Sequence, residues 1–360
     1  MTIEFGERLR RIPAYPLAAG YDLGSEVAML ASNESCFGPS DAVIAAAQRA
    51  LAGANRYPDP SYRALRGALS ERYGVPKERI ALGNGSCDIL LAAGEALLEP
   101  GAEVVYAWPA FSVYPHLAAA SGARAIEVPL DDSDRHDLDA IAAEITVATR
   151  LVLICNPNNP TSTAVSLEQV AAFMERVPAH VCVILDEAYV EFSLTVGDTY
   201  ASVALLERWS NLVLLRTFSK AYGLAGLRAG YALCGSESFR AAVDQVRQPF
   251  YLNSAAQGAA VEALRHQEEV ERRVTHAVAA RMTLTDGLRD LGLWVAESDA
   301  NFIWTHLPQE AIETEVTSGL AARGVLVRAG SALGREGSLR VTVGLQTEND
   351  RFLGALGDLI

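Results

Sequence analysis

Lys220 is one of only two lysines in a chain of 360 residues whose 30 basic side chains are otherwise all arginine. A primary amine can lose its proton and attack a carbonyl, whereas a guanidinium, with a pKa above about 12, cannot do so usefully. Lys220 closes the apolar run NLVLLRTFSK, where a strand would deliver its side chain into the molecule. It is the residue that arginine could not replace if the chemistry is an imine. The arginine excess itself reads as a coding bias. The other lysine, Lys77, lies in the polar stretch VPKER and reads as a solvated side chain at a turn or helix start.

Polar clusters follow several other apolar runs. After RIAL comes GNGSCDILL (83–91), in which two glycines and Ser86 open a helix and offer backbone N–H groups and a hydroxyl to a phosphate. It is not a dinucleotide fingerprint, because Asp88 stands where the third glycine would be. After EVVYA comes WPAFSVY (108–114), an aromatic face for a planar ring or plain core. After RLVLIC comes NPNNPT (156–161), whose Asn-Pro steps force an extended turn and aim amides out of the sheet. After VCVIL comes DEAYVEF, with Asp186 at a strand's buried end and Tyr189 three residues on. A buried carboxylate needs a cationic partner, and a protonated pyridine nitrogen would be one. Finally TFSKAYGLAGLRAGY (217–231) brings Thr217, Ser219, Lys220 and Arg228 to one strand end. An amine, two hydroxyls and a guanidinium suit an aldehyde that bears a phosphate.

The elements that must position these groups alternate. Apolar, β-branched runs at 78–82, 103–107, 124–130, 150–155, 181–186, 211–217 and 230–235 read as strands, and Ala/Leu-rich stretches such as DAVIAAAQRALAG, CDILLAAGEALLE and LEQVAAFMERV read as helices. This is the pattern of an α/β fold with a mostly parallel sheet covered on both faces, where ligands bind beyond the carboxyl ends of the strands. The rhythm changes near residue 255. One long helix is expected from Ala255 to about Leu291, then NFIWTHL, GVLVRAG and LRVTVG as a short antiparallel sheet. The expected organisation is an N-terminal arm (1–30), a large domain (31–250) and a smaller α+β domain (251–360).

Composition narrows the class. The formal charge of −14 disfavours a nucleic-acid partner, and no local basic patch opposes it. No apolar run approaches a membrane span, and the charged start MTIEFGERLRRIP is unlike a secretory signal, so the expected compartment is the cytoplasm. Five scattered cysteines read as reduced thiols, and no His/Cys spacing suggests a metal.

With ASNESCFGPS, NRYPDP, GNGSCDIL, NPNNPT, DEAYVEF, TFSKAYGLAGLRAG, ANFIW and LRVTVG in this order, the chain resembles fold-type I pyridoxal-phosphate aminotransferases over essentially its whole length. Within them it is most similar to histidinol-phosphate aminotransferases. The resemblance implies a seven-stranded large domain with a smaller C-terminal one, pyridoxal 5′-phosphate as cofactor, and a homodimer acting on a small-molecule amino donor and a 2-oxo acid. It implies that Lys220 forms the Schiff base and moves the α-proton, and that Asp186 pairs with the pyridinium nitrogen. Asn159 and Tyr189 would bond the phenolic oxygen, with Phe111 on the ring face. Ser86, the Cys87 backbone, Thr217, Ser219 and Arg228 would hold the phosphate, reached also by Tyr57 of NRYPDP from a second subunit. Arg340 would clamp a substrate carboxylate beside Asn33, and Tyr15 and Arg328 are candidates for a second anion. The chain departs from the family where the usual GNGSDE reads GNGSCD, where NPTG reads NPTS with Ser162, where the arm reads YPLAAGYDLG, and at Tyr251 in QPFYLNS.

Three other readings keep the scaffold. An aromatic amino acid aminotransferase would use Tyr251 and Trp304 as a stacking pocket. A phosphothreonine decarboxylase would release carbon dioxide. A cofactor-binding regulator would need an effector domain, for which the sequence has no counterpart.

Overall fold

Each of the seven apolar runs forms a strand of one sheet. The structure, a computed structural model, describes residues 3–5, 7–12 and 27–360. The chain enters through β1 (Ala28–Met29), α1 (Asp41–Leu51) and α2 (Arg63–Tyr73). Strands and helices then alternate: β2 (Ile80–Gly83), α3 (Ser86–Leu97), β3 (Glu103–Trp108), α4 (Tyr114–Ser121), β4 (Arg124–Pro129), α5 (Leu138–Ala143), β5 (Thr149–Cys155), α6 (Leu167–Met174) and β6 (Cys182–Asp186). Next come β7 (Leu212–Thr217), β8 (Gly230–Cys234), α7 (Glu237–Val246), α8 (Ser254–Arg265) and α9 (Gln267–Asp290). The last part holds β9 (Trp294–Val295), β10 (Phe302–His306), α10 (Glu313–Ala322), β11 (Val325–Leu326), β12 (Arg328–Ala329), β13 (Ser338–Thr342) and α11 (Gln346–Gly357).

The large sheet has the order β2-β8-β7-β6-β5-β3-β4, with β8 antiparallel to both neighbours and the other pairs parallel. Its central strands are apolar throughout because helices cover both faces. Along β5, Leu151, Leu153 and Cys155 enter one buried cluster while Val152 and Ile154 enter the other. The carboxyl ends of β5, β6 and β7 therefore open together at one edge of a rigid slab. Gly230, the first residue of β8, pairs with Thr217 on one side and Gly83 on the other. A single glycine thus adjoins both the lysine strand and the turn into α3.

The smaller sheet, β12-β13-β10-β9, is antiparallel, and β1 pairs in parallel with β11. GVLVRAG, read as one strand, is divided at Val327 between these two sheets. The expected helix from Ala255 to Leu291 is two helices broken at His266 (φ −108°, ψ 63°). Its imidazole lies 3.0 Å from Glu262 and 3.1 Å from Glu268. Packing explains the break: the alanine face of α8 joins the core beside the large sheet, whereas the distal half of α9 packs on the small sheet through Leu284 and Leu288. Gly258 lets α8 approach α1 closely, since a Cβ there would lie 3.1 Å from the Ala46 carbonyl oxygen. Among the described residues no helix is long and apolar enough to cross a membrane.

Candidate active site

A cavity of about 540 Å³ opens beyond the carboxyl ends of β5, β6 and β7. Its wall gathers Asn33, Ser86, Cys87, Phe111, Asn159, Asp186, Tyr189, Thr217, Ser219, Lys220, Arg228, Arg328 and Arg340, drawn from segments up to about 300 residues apart. Two expected site residues are not among them. Tyr57 is 81% exposed and stacks on Phe250 with ring centroids 4.5 Å apart. Tyr15 lies outside the described residues.

Lys220 follows β7, and its Nζ donates to the Ser32 carbonyl oxygen at 2.9 Å while lying 5.8 Å from the centre of the Tyr189 ring. Burial pushes its amine down to about 7, helped by the positive charges of Arg340 and Arg228 and opposed by Glu34. A large neutral fraction at neutral pH is what a nucleophilic or proton-accepting amine requires. Lys77, by contrast, is exposed before β2, as its polar context suggested.

Asp186 ends β6 and is 3% exposed. It accepts from the Tyr114 hydroxyl at 3.1 Å and from the Ala188 N–H at 3.2 Å, and among the described residues it has no ion pair with a basic side chain. Burial pushes its carboxyl up to about 6. A buried carboxylate aimed into a cavity, with two neutral donors and no cation, fits a ligand that brings its own positive charge, such as a pyridinium. Tyr114 escaped the sequence reading. It sits three residues after Phe111, on α4, so the spacing that puts both on one side of a turn was the available signal.

The opposite end of the cavity is a cradle of backbone. Gly85 adopts φ +85°, and a Cβ there would lie 2.5 Å from Nη2 of Arg228. A Cβ on Gly230 would lie 2.2 Å from the Ser86 nitrogen. The two glycines thereby let Arg228 and β8 pack close against the first turn of α3, a helix N-terminus of the kind that suits an anion. Arg228 itself has φ +59°, and its Nη1 donates to the Ala225 carbonyl oxygen at 2.8 Å. Thr217 Oγ1 donates to Ser219 Oγ at 2.9 Å, setting two hydroxyls side by side. Burial pushes the Cys87 thiol up to about 11 despite the Arg228 charge, so the side chain adds no anion to the cradle.

The far wall comes from the small sheet. Arg340 Nη1 donates to Asn159 Oδ1 at 2.6 Å, and Nη2 donates to the Ala31 carbonyl oxygen at 2.6 Å. Asn33 Nδ2 donates to the Tyr189 hydroxyl at 3.1 Å. Arg328 is the cross-strand register partner of Arg340 and is 8% exposed, so it is no surface residue. Among the described residues neither Tyr251 nor Trp304, expected to form an aromatic pocket, lines this cavity. Tyr251 packs on Tyr62 with its hydroxyl 3.4 Å from Asp244, and Trp304 is wholly buried, donating to Asp134 at 3.1 Å. Trp304, opposite Arg340 on β10, shares that face of the sheet but is covered by Leu333, which lines the cavity in its place. Apolar lining comes instead from Phe111, Val113 and Leu333.

A lysine at the end of a parallel strand, a carboxylate at the end of its neighbour and an anion cradle across the opening define a fold-type I pyridoxal-phosphate enzyme. The family described as "Aminotransferase class I and II" matches residues 25–356, and the chain belongs to it. A histidinol-phosphate aminotransferase of Ralstonia nicotianae is 43% identical over 99% of this chain and 97% of its own length. An aromatic amino acid aminotransferase of Thermobifida fusca is 44% identical over 91% of this chain and 88% of its own. Among solved structures, a histidinol-phosphate aminotransferase of Sinorhizobium meliloti in complex with pyridoxal 5′-phosphate superposes with a TM-score of 0.88, at 27% identity, covering 100% of this chain and 98% of that one. The enzyme is an aminotransferase that uses pyridoxal 5′-phosphate.

Proposed function

We propose that the chain transfers the amino group of histidinol phosphate to 2-oxoglutarate, giving imidazole-acetol phosphate and glutamate, as a cytoplasmic homodimer. The observation that carries the substrate is the arginine pair. Arg328 and Arg340 face each other across β12 and β13 and both line the cavity wall opposite the cradle. A substrate whose far end is a phosphate calls for two guanidinium groups, and a 2-oxo acid can use the same pair for its carboxylates. Five free cysteines accord with a reducing compartment.

Bound pyridoxal phosphate supplies an electron sink for the pair released when the substrate Cα–H bond breaks. In this reading Lys220 Nζ holds the cofactor and then takes the proton from Cα. Asp186 keeps a proton on the pyridine nitrogen, and the Tyr114 hydroxyl holds Asp186 in line. Asn159 and Tyr189 orient the phenolic oxygen, and Phe111 covers one face of the ring. Ser86, the Cys87 N–H, Thr217, Ser219 and Arg228 take the phosphate. Tyr57, exposed in the single chain, would reach the cradle of a second copy, which is why a dimer belongs to the reading. Arg340 and Asn33 take the substrate carboxylate, while Arg328, with Tyr15, takes the second anion.

Phe111, Val113 and Leu333 give an aromatic amino acid donor the next claim. Single-turnover titration of the holoenzyme with L-histidinol phosphate and with L-phenylalanine, following the cofactor's absorbance, separates the two. A strong preference for the phosphate ester is expected. Equal or faster reaction with phenylalanine would move the assignment to the aromatic class.

A further inference from the structure

Ser162 stands where the related motif usually carries glycine, and its backbone keeps the left-handed conformation that glycine favours (φ +64°). The side chain is wholly buried between the 156–162 turn and the start of β10. Its Oγ donates to the Phe302 carbonyl oxygen at 2.8 Å, lies 2.6 Å from Ser298 Oγ and accepts from the Ala300 N–H at 3.1 Å. The Asp299 N–H donates to the Ser162 carbonyl oxygen at 2.7 Å. The turn of the large domain that presents Asn159 is thus bonded, three residues later, to the segment leading into β10.

These contacts close a ring. Asn159 accepts from Arg340; Arg340 lies on β13; β13 pairs with β10, where Trp304 is its register partner; and the start of β10 is fastened by Ser162 to the turn that carries Asn159. We propose that Ser162 is a positioning residue for carboxylate capture: its hydroxyl locks β10 to the 156–162 turn and so fixes the distance between Asn159 and Arg340. The hydroxyl adds to this chain a fastening that a glycine cannot make. The proposal rests on the assignment of Arg340 to the substrate carboxylate.

Ser162→Gly tests it cleanly, because glycine takes the left-handed conformation without strain and only the hydroxyl is lost. In the holoenzyme the KM for glutamate and for 2-oxoglutarate is expected to rise about threefold to tenfold with kcat within about twofold, the pattern of weakened ground-state binding. The cofactor's absorbance and affinity should not change. In an Arg340→Ala background the same substitution should have no further effect, since both changes act through one contact. A Ser162→Gly enzyme with unaltered KM, or an effect that persists undiminished in the Arg340→Ala background, would overturn the role of Ser162 alone. An Arg340→Ala enzyme with normal KM for both substrates would overturn the carboxylate assignment and the proposal with it.

Discussion

Lys220 and Asp186 are displaced from their ordinary titration ranges in opposite directions by one cause, the removal of water. The amine falls to about 7, so in the cofactor-free protein its reactive neutral form grows as pH rises through that value. The rate of covalent cofactor uptake, followed by absorbance, should rise from pH 6 to about 8 and level off above. Lys220→Ala should lower turnover by at least ~10²-fold, the lower end of what a positioned acid–base group supplies, with circular dichroism unchanged. Asp186 carries a different signature. Its folded carboxyl, at about 6, binds a proton more tightly than the unfolded one, so the stability it contributes is present at low pH and is lost as pH rises through about 6. Asp186→Asn should therefore stabilise the cofactor-free protein at pH 8, by on the order of 1–3 kcal/mol, while slowing turnover by ~10²–10³-fold. Thermal melts between pH 8 and pH 5 check the first half: the difference should shrink as pH falls below about 6 and vanish only below the unfolded carboxyl's value near ~4. These two residues were legible in the sequence because each ends an apolar run with a group that no core tolerates unpaired. Tyr114 was not, since a tyrosine amid aromatics reads as packing until its hydroxyl is seen against Asp186. Trp304 misled for the converse reason: ring size in a strand says nothing of what covers it, and here Leu333 packs over the indole while Asp134 takes its N–H.

At the scale of elements, seven strands were read within one or two residues; the central ones are continuous apolar runs, as burial on both faces imposes, while the edge strand β4 shows through its β-branched residues alone. The break between α8 and α9 was invisible, as no proline or glycine marks it. It arises where the alanine face of one helix stays with the large core and the next leaves for the small sheet. Strand order was also illegible, because pairing is a property of distant segments. Yet pairing is what places Gly230 between Thr217 and Gly83, and so shapes the cradle. A methyl group on Gly230 would sit 2.2 Å from the Ser86 nitrogen and push the first turn of α3 aside. Gly230→Ala should weaken cofactor binding by roughly tenfold or more, as a small misplacement of a preorganised anion site does, read as the dissociation constant from fluorescence quenching.

In the whole molecule the site is shared between bodies: the large sheet provides the lysine, the carboxylate and the cradle, and the small sheet provides the arginines. The stacked pair Tyr57 and Phe250 lies exposed, away from the cavity of its own chain. Sedimentation should give twice the 38.5 kDa chain mass, and Tyr57→Ala should raise the cofactor's dissociation constant by about tenfold, the order expected for one lost hydrogen bond to a charged group. A monomer with full cofactor affinity would remove Tyr57 from the site. The scarcity of lysine has a practical consequence. With Lys220 engaged by the cofactor, Lys77 is the remaining side-chain amine, exposed at the amino end of β2 and hence at the opposite end of that strand from the cavity. Aside from the terminal amine, a dye or solid support coupled through amines will attach the holoenzyme at one address per chain, with its cavity facing outward and open to substrate.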